Sequence, residues 1–182
     1  MIAPTAAPAL SLFVRSTYRT PIGTMLIVYD EEGAVRALDW DDYEPRMHRL
    51  LRLHYGEART ELRSGELPSV VRDALDAYFA GQIDALGDVP VRTNGTAFQR
   101  AVWAGLRAID AGTAWSYADL AAFIGRPRAV RAVGAANGAN PVGVIVPCHR
   151  VIGADGSLTG YGGGLERKRW LLRHEGVTLR DR

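Results

Sequence analysis

The chain has 182 residues, 47% hydrophobic and 23% charged, with a formal net charge of +2. That is an ordinary soluble composition, long enough for one large or two small domains and against global disorder. No window approaches eighteen consecutive apolar residues, so no transmembrane helix is expected. Residues 1–12 lack a basic segment and are broken by Pro4 and Pro8, which argues against a cleaved signal peptide. The single cysteine, Cys148, excludes an intramolecular disulfide and a cysteine-based zinc cluster, and fits a reducing cytoplasm. Charge is unevenly spread. Residues 1–93 carry 10 Arg against 14 Asp and Glu, whereas residues 94–182 carry 11 Arg and Lys168 against 6. The basic second half suits either a polyanionic partner or a solvated basic face.

In chain order, residues 10–18, 22–30 and 35–40 are rich in β-branched and aromatic side chains, punctuated by Pro21, Gly23 and Gly33. They predict an antiparallel meander of about three strands. Pro45 opens a helical pattern with Met47, Leu50, Leu51 and His54 on one face, ended by Gly56. Pro68 opens a second, with Val71, Ala74, Leu75, Tyr78 and Phe79 inward and Gly81 as the stop. Residues 82–93 have no strong period and read as an inter-domain linker. They divide a 1–93 domain from a 94–182 domain.

The second half reads as mainly helical. Thr96 and Gln99 form a capping box ahead of a stripe of Phe98, Ala101, Val102, Leu106 and Ile109. Ser116 and Asp119 form a weaker box opening a short helix that Gly125 closes. Pro127 then opens a third helix to about Ala136, which puts Arg128 and Arg131 on one face. Two short helices so joined have the proportions of a helix-turn-helix. Residues 142–146 form a short apolar run, 153–164 a glycine-rich loop, and 166–174 a last helix ended by Gly176. Trp40, Trp103, Trp115 and Trp170 read as core.

Cys148 ends the apolar run, in Pro147-Cys148-His149-Arg150-Val151. A lone cysteine is commonly buried and inert. Here cationic neighbours, and Pro147 at a possible helical first turn, favour a thiolate nucleophile. Adjacent side chains diverge, so His149 reaches the sulfur only through a water or a backbone turn. The helix after Pro127 is slim, with Ala129, Ala132, Gly134, Ala135 and Ala136. It suits close packing on a neighbour or entry into a DNA groove. Glu175, at a helix end, opposes the helix dipole and needs a partner. His48 and His54 imply no metal.

The five residues around Cys148 resemble the active-site motif of the O6-alkylguanine-DNA alkyltransferases (methylated-DNA–protein-cysteine methyltransferases). The likeness continues in order over about 96–176. It takes in Gly95-Thr96-Ala97-Phe98-Gln99, Ser116-Tyr117-Ala118-Asp119-Leu120-Ala121, Arg131-Ala132-Val133-Gly134, Asn137-Gly138, Asn140-Pro141-Val142, Gly160-Tyr161-Gly162-Gly163-Gly164-Leu165 and His174-Glu175-Gly176. It implies an α+β protein with two parts: a small N-terminal antiparallel-sheet domain, ribonuclease-H-like, and a helical C-terminal winged helix-turn-helix.

The resemblance implies further that Cys148 accepts the alkyl group in a single, suicidal turnover. Glu175 and His149, with a water, would draw off its proton. Asn140 would brace the active-site turn. Tyr117 would hold the flipped nucleotide and help protonate the departing guanine, and Arg131 would fill the gap in the duplex. Arg128, Ala129, Ala132 and Gly134 would line the minor groove. Backbone groups of Cys148 and Val151 would read the guanine edge, and Tyr161, Gly162 and Gly163 would wall the pocket. Some relatives carry Ser at the position of Gly162, so this chain is expected to have a looser pocket that lacks one donor. Neither metal nor cofactor is implied. The expected partner is duplex DNA bearing O6-alkylguanine, met by a monomer, alone or clustered along DNA. The alternatives are a lesion-binding relative without transfer, a helix-turn-helix regulator, and a Cys–His hydrolase or transferase.

Overall fold

A computed structural model describes residues 11–56 and 60–179. The N-terminal half is built on β1 (Ser11–Thr20), β2 (Gly23–Tyr29), β3 (Val35–Trp40) and β4 (Thr60–Ser64), in the sheet order β3-β2-β1-β4. β1, β2 and β3 form the expected antiparallel meander. Leu10, where the first strand was expected to begin, lies outside the described residues. β4 is an addition: it pairs parallel to β1, from Ser11 opposite Thr60 to Arg15 opposite Ser64. Its short sequence TELRS has no apolar alternation, so only the open edge of β1 defines it as a strand. The β2–β3 turn follows from its residues. The Asp30 carboxylate accepts from the amides of Glu32 and Ala34, at 3.0 and 2.9 Å, and Gly33 takes φ 81°.

Both faces of the sheet are covered. On one, Phe13, Leu26, Val28 and Ala37 meet Met47 and Leu51 of α1 (Glu44–Tyr55). On the other, Met25, Ile27, Tyr29 and Trp40 meet Val71, Leu75 and Tyr78 of α2 (Ser69–Phe79). That second cluster continues without a break through Trp103, Leu106, Val142, Cys148 and Leu171, so the two halves share one core.

The stretch 82–93 is packed rather than loose. Leu86 and Val89 are buried, and Val35 and Arg92 exchange backbone hydrogen bonds with Pro90 and Val35 at 2.8 and 3.0 Å. Further along the same edge of β3, Leu38 donates to Pro141 at 2.9 Å and accepts from Gly143 at 3.0 Å. The N-terminal sheet thus fixes the backbone that leads to Cys148.

The C-terminal half contains α3 (Ala97–Arg107), α4 (Tyr117–Phe123), α5 (Val130–Gly138) and α6 (Leu165–His174). Both capping boxes are complete, at Thr96/Gln99 and Ser116/Asp119. The stripe on α3 differs in one place: Trp103 is buried and Ala101 exposed. Trp115 and Trp170 are only half-buried. A Cβ on Gly105 would lie 2.8 Å from Leu120 Cδ1, so that glycine sets the close crossing of α3 and α4. β5 (Trp115–Ser116) pairs parallel with β6 (Val151–Ile152), tying the start of α4 to the end of the cysteine motif.

The helix after Pro127 begins later than expected. Ala129 N–H donates to Arg126 at 2.8 Å, closing a turn with Pro127 at its second position. The first helical residue is Val130. Arg128 therefore sits in the turn and does not share a helix face with Arg131. Among the described residues no helix is long and apolar enough to cross a membrane.

Candidate active site

The apolar run before the cysteine forms turns, not a strand. Val144 takes φ 67°, the single non-glycine positive φ among the described residues, at a cost of about 1–2 kcal/mol. The bend is held by Asn140, whose Nδ2 donates to Val146 O at 2.8 Å and whose Oδ1 accepts from Val142 N at 3.0 Å. Residues Cys148–Arg150 then make one 3-10 turn after Pro147. That turn sends successive side chains in different directions.

Cys148 is 7% exposed and faces Asn140, Tyr161, Gly162, Gly163 and, from the N-terminal half, Leu38, Asp39, Trp40 and Arg46. The cavity left beside the sulfur is about 10 Å³. A group larger than a methyl cannot sit there without moving a wall. The expectation that His149 and Arg150 lower the thiol pKa is corrected here. Burial pushes the thiol up, and the opposing influences are the Asn140 side chain and the charges of Arg46 and Lys168. Arg150 turns away from the sulfur because a buried carboxylate claims it.

That carboxylate is Glu175, the C-cap of α6 and 2% exposed. Its Oε2 accepts from Arg150 Nε at 2.8 Å. Its Oε1 faces His149 Nε2 at 2.9 Å, Arg150 Nη2 at 3.0 Å and Tyr78 Oη at 2.7 Å. Burial alone would raise Glu175, but the hydrogen bonds of His149 and Arg150 and the charge of Arg150 outweigh it and hold it well below the usual carboxylate range. Its misfit with the helix dipole is thereby compensated. His149 is fully buried, and burial lowers its pKa despite Glu175, so the ring is neutral at pH 7. With Nε2–H directed at the carboxylate, Nδ1 is left as the acceptor, without a hydrogen-bond partner among the described residues.

The pocket walls come from three places. Arg46 on α1 pairs with Asp39 at 2.6 Å, donates to Gly138 O at 2.7 Å and Asn140 O at 3.1 Å, and lies over Gly162. A Cβ at Gly162 would stand 2.6 Å from Arg46 Cζ, so the guanidinium fills the room that a serine would take. The looser pocket expected from Gly162 is not found. Gly163 is packed against the Trp40 indole, with no room for a Cβ. Lys168 is fully buried, donates to Val151 O at 2.6 Å and Thr159 O at 2.7 Å, and burial lowers it to about 8. The Val151 carbonyl is thus already engaged, and the Cys148 carbonyl faces Asn137 Nδ2 at 3.5 Å.

On the outer face, Arg126, Arg128, Arg131 and Ala132 are exposed, and Ala129 is half-buried. Gly134 packs at 3.7 Å, measured from an added Cβ, against the Tyr117 ring. The Tyr117 hydroxyl points to Thr159 O at 3.4 Å, at the mouth of the glycine-rich loop. Sequence reasoning missed Arg46, Asp39, Trp40, Tyr78, Arg150 as carboxylate partner, and Lys168. For the N-terminal group no sequence signal exists, because nothing local ties residues 39–78 to the cysteine. For Lys168 the signal was its being the one lysine of the chain.

Fold and site together define a nucleic-acid-binding protein with a buried thiol acceptor, set behind a helix-turn-helix that bears exposed arginines. Comparison with known proteins gives that class a family. Residues 13–93 match the ribonuclease-like domain, and residues 97–177 the DNA binding domain, of 6-O-methylguanine DNA methyltransferase. The chain belongs to that family. A methylated-DNA–protein-cysteine methyltransferase of Salmonella typhimurium is 51% identical over 160 residues, 88% of this chain and 94% of the relative. One from Haemophilus influenzae is 40% identical over 91% of this chain and 87% of its own length. The OGT of Mycobacterium tuberculosis, solved in complex with DNA, superposes with a TM-score of 0.72 at 40% identity, covering 90% of this chain and 92% of that one.

Proposed function

We propose that the protein repairs O6-alkylguanine in duplex DNA by moving the alkyl group, irreversibly and once per molecule, to Cys148. The observation that carries this reading is the juxtaposition at one turn: a thiol facing a methyl-sized cavity, and beside it a neutral His149 backed by Glu175.

The damaged nucleotide must leave the stack, at a cost of a few kcal/mol. Arg131, exposed at the start of α5, fills the gap, and Arg128 and the small residues Ala129, Ala132 and Gly134 let the helix approach the minor groove. Tyr117, next to the loop 160–164, holds the flipped nucleotide, and Tyr161, Gly162, Gly163 and Val151 line its pocket. The thiol rests protonated, because burial favours that form. On attack its proton passes through a water to His149 Nδ1, and Glu175 stabilises the imidazolium. The S–C bond forms as the C–O6 bond breaks. The bonding pair stays on guanine, which recovers a proton by way of Tyr117. Among the described residues no group stands beside Cys148 to cleave the thioether, so the protein is spent. We further read the protein as acting as a single chain in the cytoplasm, where reducing conditions keep Cys148 free.

The test is intact-protein mass after incubation with duplex DNA carrying one O6-methylguanine. A stoichiometric gain of roughly 14 Da in the wild type and none in Cys148→Ala is expected for methyl replacing hydrogen. Tight lesion binding without mass gain would instead support a lesion-binding protein.

A further inference from the structure

Tyr78 has no evident reason to be a tyrosine. It lies on α2, in the N-terminal half, with 0% exposure, among Val71, Leu75 and other apolar residues where a phenylalanine would fill the same space. Its hydroxyl nevertheless donates at 2.7 Å to Glu175 Oε1, 97 residues away. The position is firmly held. His174 lies across the Tyr78 ring at 5.1 Å, and His174 Nε2 donates to the Tyr78 carbonyl at 2.7 Å. Burial keeps the phenol protonated throughout the working range, so it is a permanent donor.

Arg150 already neutralises Glu175 through both oxygens, so charge balance does not need a further donor. What Tyr78 does is share Oε1 with His149. A carboxylate oxygen that serves a second donor is a weaker acceptor for the first, because it has less electron density to give. The relay must take the thiol proton, so His149 has to rest neutral with Nδ1 as the acceptor. A His149 made too basic would rest as the imidazolium and could not accept it.

We propose that Tyr78 is a positioning residue of the proton relay: through Glu175 Oε1 it restrains the basicity of His149, so the N-terminal half tunes the chemistry at Cys148. This rests on the alkyl-transfer reading above. The other groups that face His149 and Glu175 are Arg150 from the 3-10 turn, Lys168 from α6 and Tyr161 from the glycine-rich loop, while His174 packs on Tyr78. Of these, Lys168, at about 8, titrates on the alkaline side.

The experiment compares wild type and Tyr78→Phe by single-turnover methyl transfer from saturating duplex substrate across pH, and by 15N-histidine NMR of the free proteins, which resolves His149 from His174. Removing the hydroxyl should move the acid limb and the His149 titration upward by about half to one pH unit, the share of one charge-assisted hydrogen bond. Coincident limbs and coincident His149 titrations, or a downward shift, overturn the proposal even if the variant is slower, because a packing role changes only the height of the profile. A wild type that transfers no methyl sinks the alkyl-transfer reading, while the NMR titration still judges the Tyr78 link. If Tyr78→Phe does not fold, tyrosine 13Cζ spectra of the wild type decide. The Tyr78 signal must titrate together with His149, and an independent titration overturns the link.

Discussion

Replacing Arg46 by alanine perturbs the contact between the two halves of the protein while leaving the sequence around Cys148 intact. Arg46 pairs with Asp39, which is 4% exposed, and it holds the carbonyls of Gly138 and Asn140. Breaking a fully buried pair costs about 3–5 kcal/mol. Arg46 itself is 18% exposed, Asp39 keeps the Trp40 amide at 3.0 Å, and water can reach the released carbonyls. The expected loss is therefore about 2–3 kcal/mol. Burial already raises Asp39, with Arg46 as the main opposing influence. Without Arg46 the carboxyl rises further. A raised folded pKa means stability that is present at low pH and lost as pH rises, so the penalty should be full at pH 8 and shrink toward pH ~4, the unfolded value. Urea unfolding of wild type, Arg46→Ala, Asp39→Asn and the double variant measures it, and the double variant should recover about 1–2 kcal/mol relative to additivity. The vacated space over Gly162 should also raise the ratio of benzyl to methyl transfer. Strictly additive losses, or an Arg46→Ala variant within about 0.5 kcal/mol of wild type, would refute the bridge.

Gly163→Ala forces a Cβ against Trp40 and to within 2.8 Å of Tyr161 Cε1; about 1–3 kcal/mol of stability and most of the transfer rate should be lost, read by thermal unfolding and single-turnover assay. Gly162→Ser must displace the Arg46 guanidinium, so its cost in urea unfolding should be clear in the wild type and small in an Arg46→Ala background. Glu175 is held well below its ordinary value, so the stability it adds is complete above pH ~4.3 and drains as pH falls below it. Glu175→Gln should flatten that acid arm in Tm measurements, while losing about 3–5 kcal/mol at pH 7 because Arg150 is left unpaired. Arg128→Ala should weaken binding evenly across DNA sequences and reduce the salt slope by about one. Arg131→Ala should slow transfer from duplex DNA and leave reaction with the free O6-methylguanine base unchanged; equal losses on both substrates would refute its role in the flipped duplex.

The sequence by itself determined what local chemistry and a five-residue motif can determine. The capping boxes at Thr96 and Ser116, the Asp30–Gly33 turn and the glycine stops of α1 and α2 are short-range hydrogen-bonding patterns, so they were legible. So was the thiol with its histidine. Where two local signals competed, the reading erred: Pro127 suits a helix start and a β-turn equally, and only the Arg126–Ala129 hydrogen bond selects the turn. The tertiary structure decided everything that crosses the chain. β4 is a strand because β1 has a free edge. Arg150 faces Glu175 rather than the thiol because a buried carboxylate 25 residues away draws it in. Arg46 closes the pocket across 92 residues to Gly138, and Tyr78 reaches Glu175 across 97. The Arg46 and Tyr78 contacts carry no local signal, since each residue sits within an ordinary amphipathic helix of its own segment. Only the shared core, which seats α1 and α2 against the cysteine turn, gives them a part in the chemistry.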